Sequence, residues 1–193
     1  MIEKILNYDL ELFLYLNNLG TIEHDKFWIL LSKIEANIFF YLLLIGFYIF
    51  NSKTRFNSKL VFLLISIFIL IIIADQTSNL FKDFFQRLRP CYIESIKTSL
   101  RLVKESCGGK YGFFSAHASN SFSLAIFFGL LLKKQSGMFI YISLVFASFI
   151  SYSRIYLGVH FPLDIIFGGI FGIINGLVIF KLYKYFNKSF YKI

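Results

Sequence analysis

Residues Lys59–Asn79 decide the fold, and they read KLVFLLISIFILIIIADQTSN. Between the lysine at the start and Asp75 near the end, the run carries no charged side chain. A helix can cross the hydrocarbon core of a bilayer when it has about 20 mostly apolar residues. The stretch therefore predicts a membrane-spanning helix.

Four further segments are apolar over comparable lengths, roughly Phe27–Phe50, Ala116–Leu132, Met138–Tyr152 and Phe161–Tyr183. The chain of 193 residues is 57% hydrophobic and only 16% charged. A soluble domain usually carries about 25% charged residues, so these proportions exclude an ordinary soluble fold. We expect an all-α integral membrane protein, with a bundle of about five transmembrane helices in a single membrane-embedded domain over residues 1–193.

The first 20 residues differ from the rest because polar side chains interrupt their apolar ones. Apolar residues recur at helical spacing, at Ile2, Ile5, Leu6, Leu10, Phe13 and Leu14. Lys4, Asn7 and Glu11 fall between them. This pattern predicts an amphipathic helix that lies in the membrane interface. A sixth, imperfect span is the alternative.

The net charge of +9 is distributed between the apolar runs. Basic proteins often bind nucleic acid, but membrane topology explains this placement better, so no nucleic-acid partner is expected. Three segments fall on one side of the membrane: residues 51–59, 133–137 and the tail from Lys181. They contain no Asp or Glu, and their basic residues are Lys53, Arg55, Lys59, Lys133, Lys134, Lys181, Lys184, Lys188 and Lys192. We expect this side to be cytoplasmic, in an inner or plasma membrane.

The opposite, non-cytoplasmic side receives the N-terminal helix, the long loop 80–115 and the turn near residues 153–160. It holds basic residues that topology does not explain: Lys82, Arg87, Arg89, Lys97, Arg101, Lys104, Lys110 and Arg154. Cys91 and Cys107 also lie in this loop, where an oxidising compartment would let them pair. The stretch of about 15 residues between them would give a disulfide ~3 kcal/mol of stabilisation in the loop-entropy model. A pair of free thiols is the alternative.

Three short stretches on that face carry the residues that could take part in catalysis or ligand binding: 82–90, 114–117 and 153–164. In the last stretch, His160 and Asp164 are four residues apart, and Pro162 suits the first turn of a helix, so both side chains can share one face. A carboxylate bonded to one imidazole nitrogen fixes the tautomer and leaves the other nitrogen free. No serine is evidently placed for attack. His160 is therefore the candidate nucleophile, oriented by Asp164.

His117 also opens an apolar segment, just after Ser115. Helix N-termini bind anions through free N–H groups and the helix dipole, and Arg and Lys side chains bind phosphate oxygens. Lys82, Arg89 and Arg154 beside two histidines therefore predict a phosphate pocket, in which one histidine attacks and the other donates a proton to the leaving oxygen. For each residue alone, the alternative is a helix cap or a contact with lipid headgroups.

Together the three stretches resemble the signature of the type 2 phosphatidic acid phosphatases, which is K-x6-R-P, P-S-G-H and S-R-x5-H-x3-D. The first matches at Lys82, Arg89 and Pro90, and the third at Ser153, Arg154, His160 and Asp164. The second matches at Ser115 and His117, with Phe114 in place of Pro and Ala116 in place of Gly. The resemblance spans residues 82–164.

The resemblance implies a role for each matching position. His160 would attack phosphorus and form a phosphohistidine, Asp164 would orient it, and His117 would protonate the leaving lipid oxygen. The phosphate would be held by Lys82, Arg89, Ser115, Arg154 and the backbone of Ala116. The implied chemistry needs no metal or other cofactor, which agrees with a pocket of cations.

We therefore expect a phosphohydrolase of lipid phosphates or diphosphates, whose partners are its lipid substrate and the surrounding membrane lipids. Undecaprenyl diphosphate is the first substrate to test, because a site on the outward face suits recycling of that carrier. Phosphatidic acid, phosphatidylglycerol phosphate and the phosphates of lipid A are alternatives. A small transporter is a remote alternative, because polar residues in membranes often mark pathways, but here they cluster at one surface. The sequence leaves the oligomeric state open.

Overall fold

The computed structural model describes residues 1–52, 58–104 and 106–190, and this part of the chain is mainly helical. It forms seven α-helices: α1 (Ile2–Asn18), α2 (Ile22–Leu31), α3 (Ile34–Ser52), α4 (Ser58–Phe85), α5 (Ala116–Leu131), α6 (Met138–Tyr156) and α7 (Pro162–Phe190). Two 3-10 turns, Pro90–Tyr92 and Glu94–Ile96, lie between α4 and α5. By length and hydropathy, α3, α4, α6 and α7 can each cross a membrane, and α5 is a shorter apolar helix. The predicted all-α membrane bundle is confirmed.

The first predicted span, Phe27–Phe50, is wrong in one respect, because the structure divides it into two helices. α2 ends and α3 begins on either side of Ser32 and Lys33. A continuous span would carry Lys33 and Glu35 towards the bilayer core, where charged side chains cost free energy. Ser32 instead accepts a hydrogen bond from Arg154 of α6. This hydrogen bond therefore holds the start of α3 against the end of α6.

α4 is longer than predicted, and the loop that follows it is shorter. The predicted span ends at Asn79 and the predicted loop begins at residue 80, yet α4 continues through Lys82 to Phe85. A lysine in the last turn of a helix interacts favourably with the helix dipole, so this charge does not end the helix. The loop is therefore 86–115 and not 80–115. α6 and α7 also extend beyond their predicted ends.

α5 lies at the centre of the bundle and packs closely against α7. Gly168, Gly172 and Gly176 recur every four residues along α7 and face the backbone of α5. A β-carbon on Gly176 would lie 2.5 Å from the carbonyl oxygen of Ser123. One on Gly168 would lie 2.6 Å from the carbonyl oxygen of Ser115. Small residues let helix backbones approach closely in membranes, so the glycine row fixes the start of α5 beside the start of α7.

α1 packs against α6 and α7 through a face that is partly polar. Its buried residues are Asp9, Phe13 and Asn17, and the rings of Phe13 and Phe161 meet edge-on with centroids 5.1 Å apart. Ile2, which the spacing assigned to the same apolar face, is 74% exposed. The four candidate spans do not include α1. Polar contacts as well as apolar ones therefore determine which face of α1 packs against the bundle.

Basic residues collect at the end of the bundle away from loop 86–115. α3, α5 and α7 end there, and α4 and α6 begin there. Lys53, Arg55 and Lys192, three of the residues that marked this side in the sequence, lie outside the described residues. Lys133 and Lys134 lie in the connection from α5 to α6. The alternation of helix directions thus agrees with the predicted order of the spans.

Gly172→Ala is expected to lower the melting temperature of the protein in detergent, because its β-carbon would collide with the carbonyl oxygen of Ser119 on α5. Overpacking of this kind costs about 1–3 kcal/mol. Gly46→Ala in α3 is the matched control, since no described atom outside its own stretch of helix lies within 4 Å of the position of its β-carbon. Thermal unfolding followed by the fluorescence of Trp28 measures both. Equal melting temperatures for the two variants would contradict close α5–α7 packing.

Candidate active site

The three motif stretches meet at one end of the bundle, although they are far apart in the chain. α4 and α6 end there, and α5 and α7 begin there. The backbone N–H of Ser115 donates to the carbonyl oxygen of Asp164 at 3.0 Å, which joins the two helix starts directly. Loop 86–115 is tied to the same end by Asn17 of α1, whose amide donates to the carbonyl of Arg101 at 3.0 Å. The fold therefore brings Lys82, near the end of α4, and Asp164, at the start of α7, to the same end of the bundle.

His160 and Asp164 form the buried pair that their spacing predicts. Nδ1 of His160 lies 3.2 Å from Oδ2 of Asp164, and the same carboxylate oxygen accepts from the N–H of Phe161 at 3.0 Å. The second bond closes the first turn of α7 from its third residue, as in a capping box. His160 is 2% exposed and Asp164 is fully buried. The orientation of the imidazole is therefore fixed.

Loop 86–115 holds Arg89 through main-chain acceptors. Gln86 leaves α4 with a left-handed backbone (φ 47°), and Leu88 then pairs with Tyr111 in an isolated antiparallel bridge. Arg89 donates from Nε to the carbonyl of Tyr111 at 3.2 Å and from Nη1 to that of Cys107 at 2.8 Å. Because both acceptors are neutral, the positive charge of the guanidinium is available to an anion.

A disulfide joins Cys91 to Cys107 and closes the same loop. One cysteine lies two residues after Arg89, and the other supplies a carbonyl that Arg89 binds. A cross-link restricts the conformations open to the segment that it closes. The disulfide therefore helps to hold Arg89 in place.

Gly112 is the point at which Arg89, His160 and Asp164 converge. A β-carbon there would lie 3.0 Å from Oδ2 of Asp164, 3.2 Å from Cγ of Arg89 and 3.6 Å from Nδ1 of His160. The N–H of Gly112 donates to the carbonyl of Arg87 at 2.8 Å, which holds this segment against the pair. The site therefore requires a residue without a side chain at this position.

Arg89 and Arg154 line a polar cavity of about 670 Å³ together with Lys104. Arg154 is 6% exposed and donates from Nη1 to the hydroxyl of Ser32. Within the described structure, its Nε has no hydrogen-bond partner. Buried polar groups are normally hydrogen-bonded. An unused guanidinium donor beside a cavity therefore indicates a site for an anion.

Burial lowers the pKa of His160 well below its usual range, and the positive charges of Arg89, Arg154 and Lys82 lower it further. These three cations therefore lie within electrostatic reach of the imidazole. Lys82 extends from the last turn of α4 and donates to the side chain of Asn79 at 3.3 Å. His160 is neutral near pH 7, and the neutral imidazole is the form that can act as a nucleophile or a base.

His117 lies in the first turn of α5, where it borders a second cavity. The hydroxyl of Ser115 caps α5 by accepting from the N–H of Ala118. Ala116 and His117 line a groove of about 370 Å³ between α3, α4 and α5. Of the predicted phosphate ligands, Ser115 thus has its hydroxyl engaged in the helix cap, and Ala116 borders the groove and not the polar cavity.

The groove beside His117 is lined mainly by apolar side chains, and its polar residues include Asp75 and Asn120. Asn120 donates from Nδ2 to Oδ1 of Asp75 at 2.7 Å. The sequence places Asp75 near the end of a predicted span, but it lies well inside α4 because that helix continues to Phe85. Polar pairs that face a cavity within a membrane bundle commonly mark functional sites.

The sequence did not single out Arg87 or Gly112 as site residues. Arg87 donates from Nη1 to Oδ1 of Asp164 at 2.9 Å. Arg87 and Arg89 flank Leu88 on an extended segment, where alternate side chains point to the same side. That spacing is a signal that could have identified Arg87. Gly112 had the appearance of a flexible loop glycine, and only the packing around it reveals its position.

Comparison with known families matches residues 59–188 to the PAP2 superfamily. The chain belongs to this superfamily. The matched region contains all three motif stretches, so the resemblance to the type 2 phosphatidic acid phosphatases is confirmed. This PAP2 protein is accordingly a membrane-embedded enzyme that hydrolyses lipid phosphates.

Two curated relatives are similar to this PAP2 protein over most of its length. A lipid A 4'-phosphatase of Porphyromonas gingivalis is 34% identical over 184 residues, which cover 95% of this chain and 76% of the relative. A lipid A 4'-phosphatase of Bacteroides thetaiotaomicron is 32% identical over 179 residues, which cover 91% of this chain and 77% of the relative.

Two solved structures share the fold. The crystal structure of Aquifex aeolicus LpxE superposes with a TM-score of 0.64 and 27% identity, covering 89% of this chain and 94% of that one. The phosphatidylglycerolphosphate phosphatase of Bacillus subtilis superposes with a TM-score of 0.68 and 22% identity, covering 98% of this chain and 89% of that one. The second likeness concerns the fold alone.

Gly112→Ala is expected to lower kcat by at least about tenfold, because the added β-carbon displaces Asp164 or Arg89, and displacements near 1 Å are costly in a catalytic site. Gly109→Ala is the matched control in the same loop, since no described atom beyond its chain neighbours lies within 4 Å of its β-carbon position. Phosphate release from a lipid phosphate in detergent measures both. Full activity in Gly112→Ala would show that the three side chains do not converge there during catalysis.

Proposed function

We propose that this PAP2 phosphatase removes a phosphate group from lipid A, with His160 as the nucleophile. The observation that carries the proposal is the buried His160–Asp164 pair, in which Nδ1 lies 3.2 Å from the carboxylate. Arg89 and Arg154 lie within electrostatic reach of this pair and line a polar cavity beside it. A neutral, oriented imidazole beside two guanidinium groups suits attack on a phosphate ester.

In the first step, Nε2 of His160 attacks phosphorus while the bond from phosphorus to the lipid oxygen breaks. Asp164 engages Nδ1, which leaves Nε2 free and stabilises the positive charge that the ring gains. Arg89 and Arg154 bind the phosphate oxygens as charge shifts during the transfer. The negative charge of the bound phosphate favours the protonated form of His117, which gives its proton to the departing oxygen, so the lipid leaves as an alcohol.

In the second step, water attacks the phosphohistidine and the nitrogen–phosphorus bond breaks. His117, neutral after the first step, takes a proton from the attacking water. Orthophosphate leaves, His160 is again neutral, and His117 carries the proton that it took from water. Each bond that forms at phosphorus replaces one that breaks, so no further reactant is required.

Side-chain cations neutralise the negative charge of the phosphate in this mechanism. Arg89, Arg154 and Lys82 supply three positive charges around His160. Among the described residues, no group of three or more His, Cys, Asp and Glu side chains is placed to hold a metal ion together. Chelators are therefore expected to leave the rate unchanged.

Two features favour lipid A over undecaprenyl diphosphate, the first candidate from the sequence. Both curated relatives carry the name lipid A 4'-phosphatase, and each matches more than nine-tenths of this chain. The polar cavity of about 670 Å³ has room for a headgroup larger than phosphate alone, and Lys104 adds a cation to its wall. The apolar groove beside His117 opens between helices, where an acyl chain would lie.

We assign the site to the non-cytoplasmic face of an inner or plasma membrane. The described basic residues of the helix connections, such as Lys133 and Lys134, lie at the opposite end of the bundle, as expected for a cytoplasmic surface. The disulfide between Cys91 and Cys107 lies in the loop on the site's side, and disulfides persist in oxidising compartments.

Phosphate release from a lipid panel tests this proposal. The purified protein would be assayed with a chelator present on lipid A, undecaprenyl diphosphate, phosphatidic acid and phosphatidylglycerol phosphate. We expect lipid A to give the highest kcat/KM, by at least about tenfold, because a headgroup site rejects ligands that leave its polar groups unpaired. A higher value for another lipid would overturn the substrate, and loss of activity with the chelator would overturn the metal-free pocket.

The histidine roles are tested in the same assay with an added aryl phosphate, whose leaving group departs without a proton. His160→Gln is expected to abolish release from both substrates, because it removes the nucleophile. His117→Ala is expected to lose about 10²–10⁴-fold with lipid A in the rate of the first step, read as release of the leaving group within one turnover, and much less with the aryl phosphate, because only lipid A needs the general acid in that step. Equal losses on both substrates would contradict the role of His117.

A further inference from the structure

Arg87 bridges two carboxylates that belong to opposite ends of the chain. Its Nη1 donates to Oδ1 of Asp164 at 2.9 Å, and its Nη2 donates to Oδ2 of Asp9 at 2.5 Å. The side chain of Asp164 is fully buried, and that of Asp9 is 2% exposed. Cζ of Arg87 also lies 4.3 Å from the ring centroid of Phe161, the neighbour of His160. Two charges and an aromatic ring therefore fix the guanidinium.

Asp9 also caps α7 from a different helix. Its Oδ1 accepts from the backbone N–H of Leu163 at 2.8 Å. The first N–H groups of a helix have no partner within the helix, and a carboxylate is favoured there by hydrogen bonding and by the helix dipole. Asp9 therefore links α1 to the start of α7 in two ways, directly through this cap and indirectly through Arg87.

We propose that Arg87 and Asp9 are positioning residues for the nucleophile and act through Asp164, an inference that rests on the proposed role of His160. Oδ2 of Asp164 accepts from Phe161 and binds His160, while its Oδ1 is bound by Arg87. The terminal torsion of a carboxylate is soft. A partner on the second oxygen fixes the plane of the carboxylate and, through it, the plane of the imidazole.

The planar shape of arginine is central to this role. Two nitrogens of one rigid guanidinium bind two carboxylates at once, whereas the ammonium of lysine is a single point charge on a flexible stem. Asp9 of α1 binds Nη2 of Arg87. The position of α1 therefore determines where Nη1 of the same guanidinium points. The N-terminal helix is thus a part of the catalytic apparatus.

Two matched Asp→Asn variants test the role of Asp9. Asp9→Asn keeps an oxygen for the Leu163 N–H but loses the charge that holds Arg87, and we expect kcat to fall by about tenfold or more with KM unchanged. Asp25→Asn is the control, because it removes a carboxylate from another arginine pair at the same end of the protein, Arg101–Asp25 at 2.6 Å. Equal kcat values for the two variants would overturn the inference.

A double-mutant cycle tests whether Arg87 acts through Asp164. Arg87→Gln is expected to lower kcat by about tenfold or more on both lipid A and an aryl phosphate, because the nucleophile serves both. In an Asp164→Asn background, the same substitution is expected to have almost no further effect, since residues that act as a unit are not additive. A general loss of structure would instead lower kcat by the same factor in both backgrounds, which would contradict the proposal.

The Asp164→Asn single variant separates this inference from the proposed function. If Asp164→Asn keeps the full rate, the oriented-histidine mechanism itself is wrong. If it loses activity and the cycle is additive, the mechanism stands and Arg87 is only structural. Should Arg87→Gln fail to fold, Arg87→Lys keeps the charge and is expected to lose kcat as well, because it cannot bind both carboxylates; full activity in that variant would overturn the inference.

Discussion

The close contact between α5 and α7 is the constraint on which the rest of the structure depends. Three glycines of α7 let its backbone approach that of α5, and a β-carbon on Gly168 would lie only 2.6 Å from the carbonyl of Ser115. In a membrane, such packing replaces the hydrophobic drive that joins helices in water. It places the N-terminal ends of two helices, with His117 on one and His160 just before the other, at a single site where anions are favoured.

Loop 86–115, which follows α4, and α1, which precedes it, supply further residues around this site. Loop 86–115 brings Arg89 and Gly112 against His160, and the disulfide between Cys91 and Cys107 restrains the loop. α1 reaches the same place with Asp9 and Asn17, two buried polar residues on an otherwise amphipathic helix. Asp164 therefore has a hydrogen-bond partner on each carboxylate oxygen, which suits an imidazole that must keep one orientation.

The bundle and the contact between His160 and Asp164 could be predicted because both depend on local patterns. Long apolar runs predict membrane spans, and the spacing of His160 and Asp164 predicts that their side chains share one helix face. The break at Ser32 could not be predicted, because it depends on a hydrogen bond from Arg154, 122 residues away. The Arg87–Asp9 pair joins residues 78 apart, and no local period reveals it. The glycine row was visible in the sequence, but the helix that it faces was not.

The most direct measurement of the central claim is the identity of the phosphorylated residue during turnover. Lipid A labelled in its phosphate would be mixed with excess enzyme, the reaction stopped in alkali within one turnover, and the label located by peptide mass spectrometry. The mechanism predicts label on His160 that appears before orthophosphate and then decays, and no label in the His160→Gln protein. Label on another residue, or orthophosphate that forms while His160 stays unlabelled, would contradict it.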